Sequence, residues 1–491
     1  MLSTNTAAVN WADFDAVWTL MVQLGILLIT LLVANVLRRR VPFIRRLLFP
    51  TALIAGVLVF VVKTVLHLCG VNVGAVIDNA TMQIITYHML GIGFAAMALK
   101  RGRAKEKVRF GKLFEYSLLH SSVYMLQAFA GLLVTLVCFG GIFYAGILLP
   151  CGFAQGTGNA MAWGSNYTAY GLEDGAGFGL TIATVGFIVG SVFGVIYMNY
   201  MRRKGKLRVR DHGNRAQVQS EAESAESVSV DKLSINLGLV FLAYAIAYAI
   251  MVGLNALGGL FASLAWGLSF LWALFAGMVI RLILDRLEKK KVLQNSARSN
   301  YLLDRISGFC FDLMVVAGIA AIEWETVAAY WFPLTVLCVV GTVITFLQCH
   351  LGAKFSFRGY ENETFLVQFG TLTGTVNNGM ILLREIDPDY TTPAANYIVT
   401  ANIFNFILIA PLFLLFSVVP TSKTAAWLCC GLFFVLWAVY TLLLFRRSLF
   451  RARHPKGKDE VWTDDRGFVT QEQLLSDSAP AGGDIADGQD G

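Results

Sequence analysis

Apolar runs of about 20 residues recur along this chain, and most end at a cluster of arginines and lysines. A run of that length spans the hydrocarbon layer of a bilayer as a helix. That layer holds no water, so every backbone N–H and C=O inside it must be satisfied within the protein. Helices and closed barrels are the two structures that manage this, and the roughly 10-residue alternating strands of a barrel are absent. Of the 491 residues, 56% are hydrophobic and 14% charged, against about a quarter charged in a soluble domain. The expected fold class is an all-α polytopic membrane protein.

The basic clusters orient the spans. They are "RRRVPFIRR" (Arg38 to Arg46), "KRGRAKEKVRFGK" (Lys100 to Lys112), "RRKGKLRVR" (Arg202 to Arg210), "RLEKKK" (Arg286 to Lys291) and "RRSLFRARH" (Arg446 to His454). The positive-inside rule puts all five in the cytoplasm, with the N-terminus outside and the C-terminus inside. Spans are then expected at roughly 16–37, 50–69, 83–99, 114–138 and 176–200, and again at roughly 233–256, 260–282, 303–321, 327–351 and 393–419. An extra one is expected at roughly 425–445. The first group of five starts outside and the second starts inside.

Within each group a polar, Gly-rich stretch precedes the fifth span and must return to the face it left. The first is "CGFAQGTGNAMAWGSNYTAYGLEDGAGFG" (Cys151 to Gly179) and the second "ENETFLVQFGTLTGTVNNGMILLREIDPDYTTP" (Glu361 to Pro393). Each reads as a re-entrant hairpin, so the chain reads as an inverted-topology repeat. "GTGNAM" (Gly156 to Met161) echoes "GTVNNGM" (Gly374 to Met380) at the matching place. The expected organisation is a first repeat over 1–200 with its hairpin at about 141–174, and a cytoplasmic linker over 201–232. A second repeat follows over 233–420 with its hairpin at about 361–392, then the extra span over 421–450. A disordered cytoplasmic tail covers 451–491, where Gly, Asp and Ser prevail.

Irregular backbone survives at membrane depth only where protein buries it or where it lines a cavity. Helix N-termini at such breaks favour anions, and freed carbonyls with Asn and Thr oxygens suit Na⁺. Hairpin one therefore offers Gln155, Gly156, Thr157, Gly158, Asn159 and Ser165 as substrate contacts. Hairpin two offers Thr373, Gly374, Thr375, Asn377 and Asn378, with Gln368 and Thr371 in its first arm. The alternative for both groups is a buried turn whose amides only satisfy backbone. Arg384 can pair with a substrate carboxylate, snorkel to the interface, or pair with Glu385. Asp312, mid-span in "GFCFDLMVVAGIA", can bind Na⁺, carry a proton, or make a packing hydrogen bond as the protonated acid. Thr400, Asn402 and Asn405 are candidates for an Na⁺ site, with Thr181 and Thr184 as first-half counterparts, or for hydrogen bonding between helices. Gly186, Gly190 and Gly194 form a small-residue face for close helix packing.

Other chemistries find little here. His67, His88, His120 and His350 are scattered without the HExxH spacing of a zinc site, and the eight Cys read as packing thiols. No P-loop, nucleophile elbow or clustered acidic pair is present, which argues against an ATP-driven pump or an enzyme. The net charge of +7 resides in the span-flanking clusters and does not imply nucleic acid.

"FAQGTGNAMAW" (Phe153 to Trp163) resembles a Gly-rich motif of the bacterial sodium/glutamate symporter family, through Gly156, Thr157, Gly158, Ala162 and Trp163. "RRLLFPTALIAGVL" (Arg45 to Leu58) and "MLGIGFAAMALKRG" (Met89 to Gly102) are similar to that family's second and third helices. Gln155 stands where the family pattern has His, two residues are inserted before Trp163, and Asp312 replaces an apolar residue. The resemblance, covering roughly residues 16 to 420, implies a bacterial inner-membrane symporter of glutamate or a related organic anion. Na⁺ is its implied coupling ion. It also implies a homodimer with a static scaffold and a moving transport domain. The alternative kept beside it is a cation/proton exchanger using Asp312.

Overall fold

The computed structural model describes residues 15–71, 74, 76–101, 110–205, 230–258, 265–290, 298–388, 391–449, 460–463 and 467–470. Most of the 201–232 linker and of the 451–491 tail lies outside them. Within the tail, β1 (Glu460–Thr463) and β2 (Gly467–Thr470) pair antiparallel.

The rest is helical. The first half holds α1 (Asp15–Arg40), α2 (Pro42–Arg46), α3 (Thr51–Leu68), α4 (Asn79–Ala98), α5 (Phe110–Cys138), α6 (Leu148–Gln155), α7 (Thr157–Thr168) and α8 (Gly175–Arg203). The second half holds α9 (Val230–Ala256), α10 (Ser269–Lys289), α11 (Asn300–Ala320), α12 (Trp324–Ala329), α13 (Trp331–Ser356), α14 (Glu361–Leu372) and α15 (Val376–Arg384). It continues through α16 (Pro393–Thr400), α17 (Asn402–Val418) and α18 (Lys423–Leu449). Seven described helices are long and apolar enough to cross a membrane: those beginning at Val17, Thr51, Phe110, Gly175, Lys232, Trp331 and Lys423. This is an integral membrane protein. Of the other expected spans, those at 83–99 and 303–321 correspond to α4 and α11. The one at 260–282 begins outside the described residues, which resume at Ala265 and continue as α10 from Ser269, and the one at 393–419 is divided into α16 and α17 at Ala401.

Packing divides the helices into two groups that ignore chain order. In one, α4 and α11 lie together at the centre, flanked by α3, α9 and α10, with α1 on α3. In the other, α5 packs on α13, α17 and α18, while α8 packs on α6, α7, α14 and α15. The short helices of both expected hairpins thus belong with the fourth and fifth long helices.

The ends of the α4–α11 pair carry matching hydrogen bonds. Asp78 caps α4 through Thr81 N–H at 2.9 Å, and its own N–H donates to Gln23 Oε1 at 3.2 Å. Ser299 caps α11 through Leu302 N–H, and its own N–H donates to Asn236 Oδ1 at 3.1 Å. Gln23 and Asn236 are both buried, one on α1 and one on α9. The next residue, Asn79, donates to Glu323 just past the end of α11. Its counterpart Asn300 exchanges hydrogen bonds with the Arg101 backbone just past the end of α4. Gly56 of α3 accommodates Ile319 of α11, as Gly277 of α10 accommodates Ala98 of α4. In the other group, Gln127 of α5 donates to Thr345 of α13, and Gln348 of α13 donates to Ser122 of α5. Residues 78 and 299, 79 and 300, 56 and 277, 98 and 319, and 127 and 348 are each 221 apart in number.

Candidate functional site

The helix α6 stops because Gly156 takes φ 80° and ψ −171°, a conformation open to glycine alone. The chain restarts at once as α7. The break between α14 and α15 spans Thr373, Gly374 and Thr375, with Thr375 extended at φ −143° and ψ 169°. These two breaks meet. A Cβ built on Gly156 would lie 3.1 Å from Thr375 Cγ2 and 3.6 Å from the Gly374 carbonyl oxygen.

Two helices begin at this junction. The first intrahelical bonds are Ala160 N–H to Gly156 O and Gly379 N–H to Thr375 O, both 3.2 Å. The N–H groups of Thr157, Gly158 and Asn159, and of Val376, Asn377 and Asn378, therefore lack intrahelical acceptors. Their partial positive charge favours an anion. Thr157, Asn159 and Asn378 are at most 2% exposed. Thr157 Oγ1, Asn159 Oδ1 and Asn378 Oδ1 have no hydrogen-bond partner among the described residues. A buried acceptor left without a donor costs about 1–3 kcal/mol, which a cation or a donor beside these oxygens would offset.

The surroundings are close-packed. The face of Gly186, Gly190 and Gly194 on α8 receives the second pair of short helices. Cβ atoms on the three would reach Thr373 O at 2.5 Å, Thr373 Oγ1 at 2.5 Å and Leu382 Cδ1 at 2.6 Å. Gly370 and Gly379 bring α14 and α15 together. On the other side, Gly158 meets Leu90 of α4 and Met314 of α11, and Gly318 of α11 meets Thr157. The tip of the first break thus lies where the two helix groups touch.

The remaining candidates fall in several places. Gln155 and Thr375 are half-buried, Asn377 is exposed, and Ser165 is exposed on α7. Thr373, Thr371, Thr181 and Thr184 donate to carbonyls one turn back. Gln368 is held by His120 Nδ1 at 3.1 Å and by the Tyr116 carbonyl. Arg384 is exposed in the last turn of α15, roughly 12 Å along the helix from the break. Asp312 is exposed on a face of α11 away from Met314 and Gly318. Thr400 is exposed and bonds Asn396 O, while Asn405 is buried and its Oδ1 has no hydrogen-bond partner among the described residues. Asn402 opens α17, and its side chain is outside the described residues.

One contributor carried no sequence signal. Phe187 of α8 is 2% exposed, its ring lies against both breaks, and its carbonyl accepts from Asn378 Nδ2 at 3.5 Å. It looks like any apolar residue of a span.

Among curated proteins none matches the chain. The sequence profile of the family described as sodium/glutamate symporter matches residues 12–371, ending inside α14 just before the second break. That match covers most of the 491 residues and agrees with the resemblance carried by Phe153 to Trp163. The chain belongs to the sodium/glutamate symporter family, and it is a membrane transporter rather than an enzyme.

Proposed function

We propose that the junction of the two breaks is the transport site of a sodium-coupled symporter for glutamate or a related organic anion. The meeting of Gly156 with Gly374 and Thr375 carries this reading. The N-termini of α7 and α15 would hold the substrate carboxylate, assisted by Thr157, Gly158, Thr373, Gly374, Thr375 and Asn377. The unpartnered oxygens of Asn159 and Asn378 would serve Na⁺ or a substrate ammonium group. Gln155 at the end of α6 would be a further substrate contact, and Thr400, Asn402 and the buried Asn405 would form a further ion site.

The same reading makes the chain an inverted repeat with two re-entrant hairpins, α6–α7 and α14–α15. The recurring separation of 221 residues between equivalent contacts supports it. Alternating access would come from displacement of the hairpin-bearing group against the α4–α11 group, within a homodimer in the bacterial inner membrane. The exchanger alternative draws no support from Asp312, which lies on a face of α11 other than the one meeting the hairpin tip.

The test is uptake of labelled L-glutamate into proteoliposomes, with and without an inward Na⁺ gradient. Accumulation that requires the gradient supports the reading. No Na⁺-dependent accumulation of glutamate or of any other carboxylate tried would overturn it.

A further inference from the structure

The connection between α1 and α3 holds five arginines in nine residues: Arg38, Arg39 and Arg40 at the end of α1, and Arg45 and Arg46 at the end of α2. The surrounding sequence offers them no counter-charge, since residues 16–77 contain no Asp or Glu. Among the described residues none of the five forms an ion pair, and only Arg38 has a side-chain hydrogen bond, to Thr51 Oγ1 at 3.3 Å. Arg39, Arg40, Arg45 and Arg46 are exposed.

Between the two arginine groups sits α2, a five-residue helix with no buried residue. It nevertheless carries Phe43, which is 69% exposed, and Ile44. An uncovered aromatic beside guanidiniums with no ion pair among the described residues, at the end of the membrane-length helix that begins at Val17, is placed at the edge of the hydrocarbon layer. Apolar side chains there enter the acyl boundary. Guanidiniums there meet phosphate, which they bind in a bidentate, charge-assisted manner.

We propose that the α1–α3 elbow binds anionic phospholipid headgroups, with Arg39, Arg40, Arg45 and Arg46 on the phosphates and Phe43 in the acyl boundary. A zwitterionic headgroup offers the same phosphate but adds a cation that the arginines repel, so the elbow selects lipids with net negative charge. The bound lipid fixes the depth of α1 and α3, and through them of the α4–α11 group.

The experiment uses the full chain in vesicles of phosphatidylcholine and phosphatidylglycerol at equal mole fraction, followed by mild extraction and mass spectrometry of the co-purified lipid. Wild type is expected to retain phosphatidylglycerol in excess. R45Q/R46Q, which leaves Arg38, Arg39 and Arg40 to orient α1, is expected to lower that excess by about fivefold per arginine removed. R45K/R46K keeps the charge but not the bidentate geometry, and should fall between the two. Equal retention of both lipids by wild type, or an undiminished excess in R45Q/R46Q, overturns the proposal.

Discussion

Gly156 and Thr375 face each other across the two helix breaks, near enough that a single added methyl on the glycine would lie 3.1 Å from the threonine Cγ2. They are 219 positions apart in the chain, yet each ends the turn from which a new helix starts. Whatever binds at either helix N-terminus is therefore within reach of the other.

Gly156→Ala should abolish transport while leaving the protein in the membrane. The φ of 80° and ψ of −171° would strain an alanine by about 1–3 kcal/mol. Relief would come by moving the backbone that positions Thr157. Uptake in proteoliposomes is expected to fall at least tenfold with unchanged extraction yield; normal uptake would mean that the turn does not shape the site.

Gly190→Ala should be similarly damaging, because the new methyl collides with Thr373 Oγ1 and lies 3.3 Å from Asn378 Nδ2. Gly238→Ala is the matched control: nothing lies within 4 Å of its built Cβ, and it sits inside α9. There, alanine should raise thermal stability by up to about 1 kcal/mol through helix propensity. Equal behaviour of the two variants in melting and uptake would refute the packing argument.

Asn159→Ala and Asn378→Ala each remove a buried acceptor that has no partner among the described residues. Both are expected to raise the Na⁺ concentration for half-maximal uptake severalfold. Arg384→Gln, at the far end of α15, should change it little. A large effect at Arg384 with none at the asparagines would move the ion site away from the junction.

Asp78 is held below the ordinary carboxylate pKa, chiefly by the Thr81 backbone N–H it accepts, against a smaller opposing effect of burial. A depressed folded-state pKa adds stability that is present above the unfolded value of 3.8 and is lost as pH falls through the folded value. Asp78→Ala should therefore cost about 1 kcal/mol at neutral pH. That difference should shrink below about pH 4 as the wild-type carboxylate is protonated. A penalty independent of pH, measured by thermal melting in detergent, would point to side-chain packing instead of the cap.

Much of this architecture is legible in the sequence because burial in lipid writes itself as hydropathy. Helices such as α5 and α8 stand out as long apolar runs, and the two breaks stand out as Gly, Asn and Thr where lipid would forbid them. Less legible is anything decided by which face of a helix meets which neighbour. Asp312 is conspicuous as a charge in a span, but helical periodicity alone could not say that its side of α11 is left uncovered. Gln368 is conspicuous as an amide, but its tie to His120 joins residues 248 apart. Phe187 has no signal because an aromatic in an apolar span is ordinary; only the meeting of the breaks gives it a role.

The last long helix, α18, is fastened to the hairpin-bearing group: Thr441 bonds Gln348, Tyr440 O–H donates to Leu408 O, and Arg446 lies 3.9 Å from Glu115. The first, α1, is fastened to the other group through α3 and Gln23. The two terminal helices thus report on different bodies. A donor fluorophore at the start of α1 and an acceptor just after Leu449 would register relative displacement of the groups as a change in energy transfer, with no label placed near the substrate.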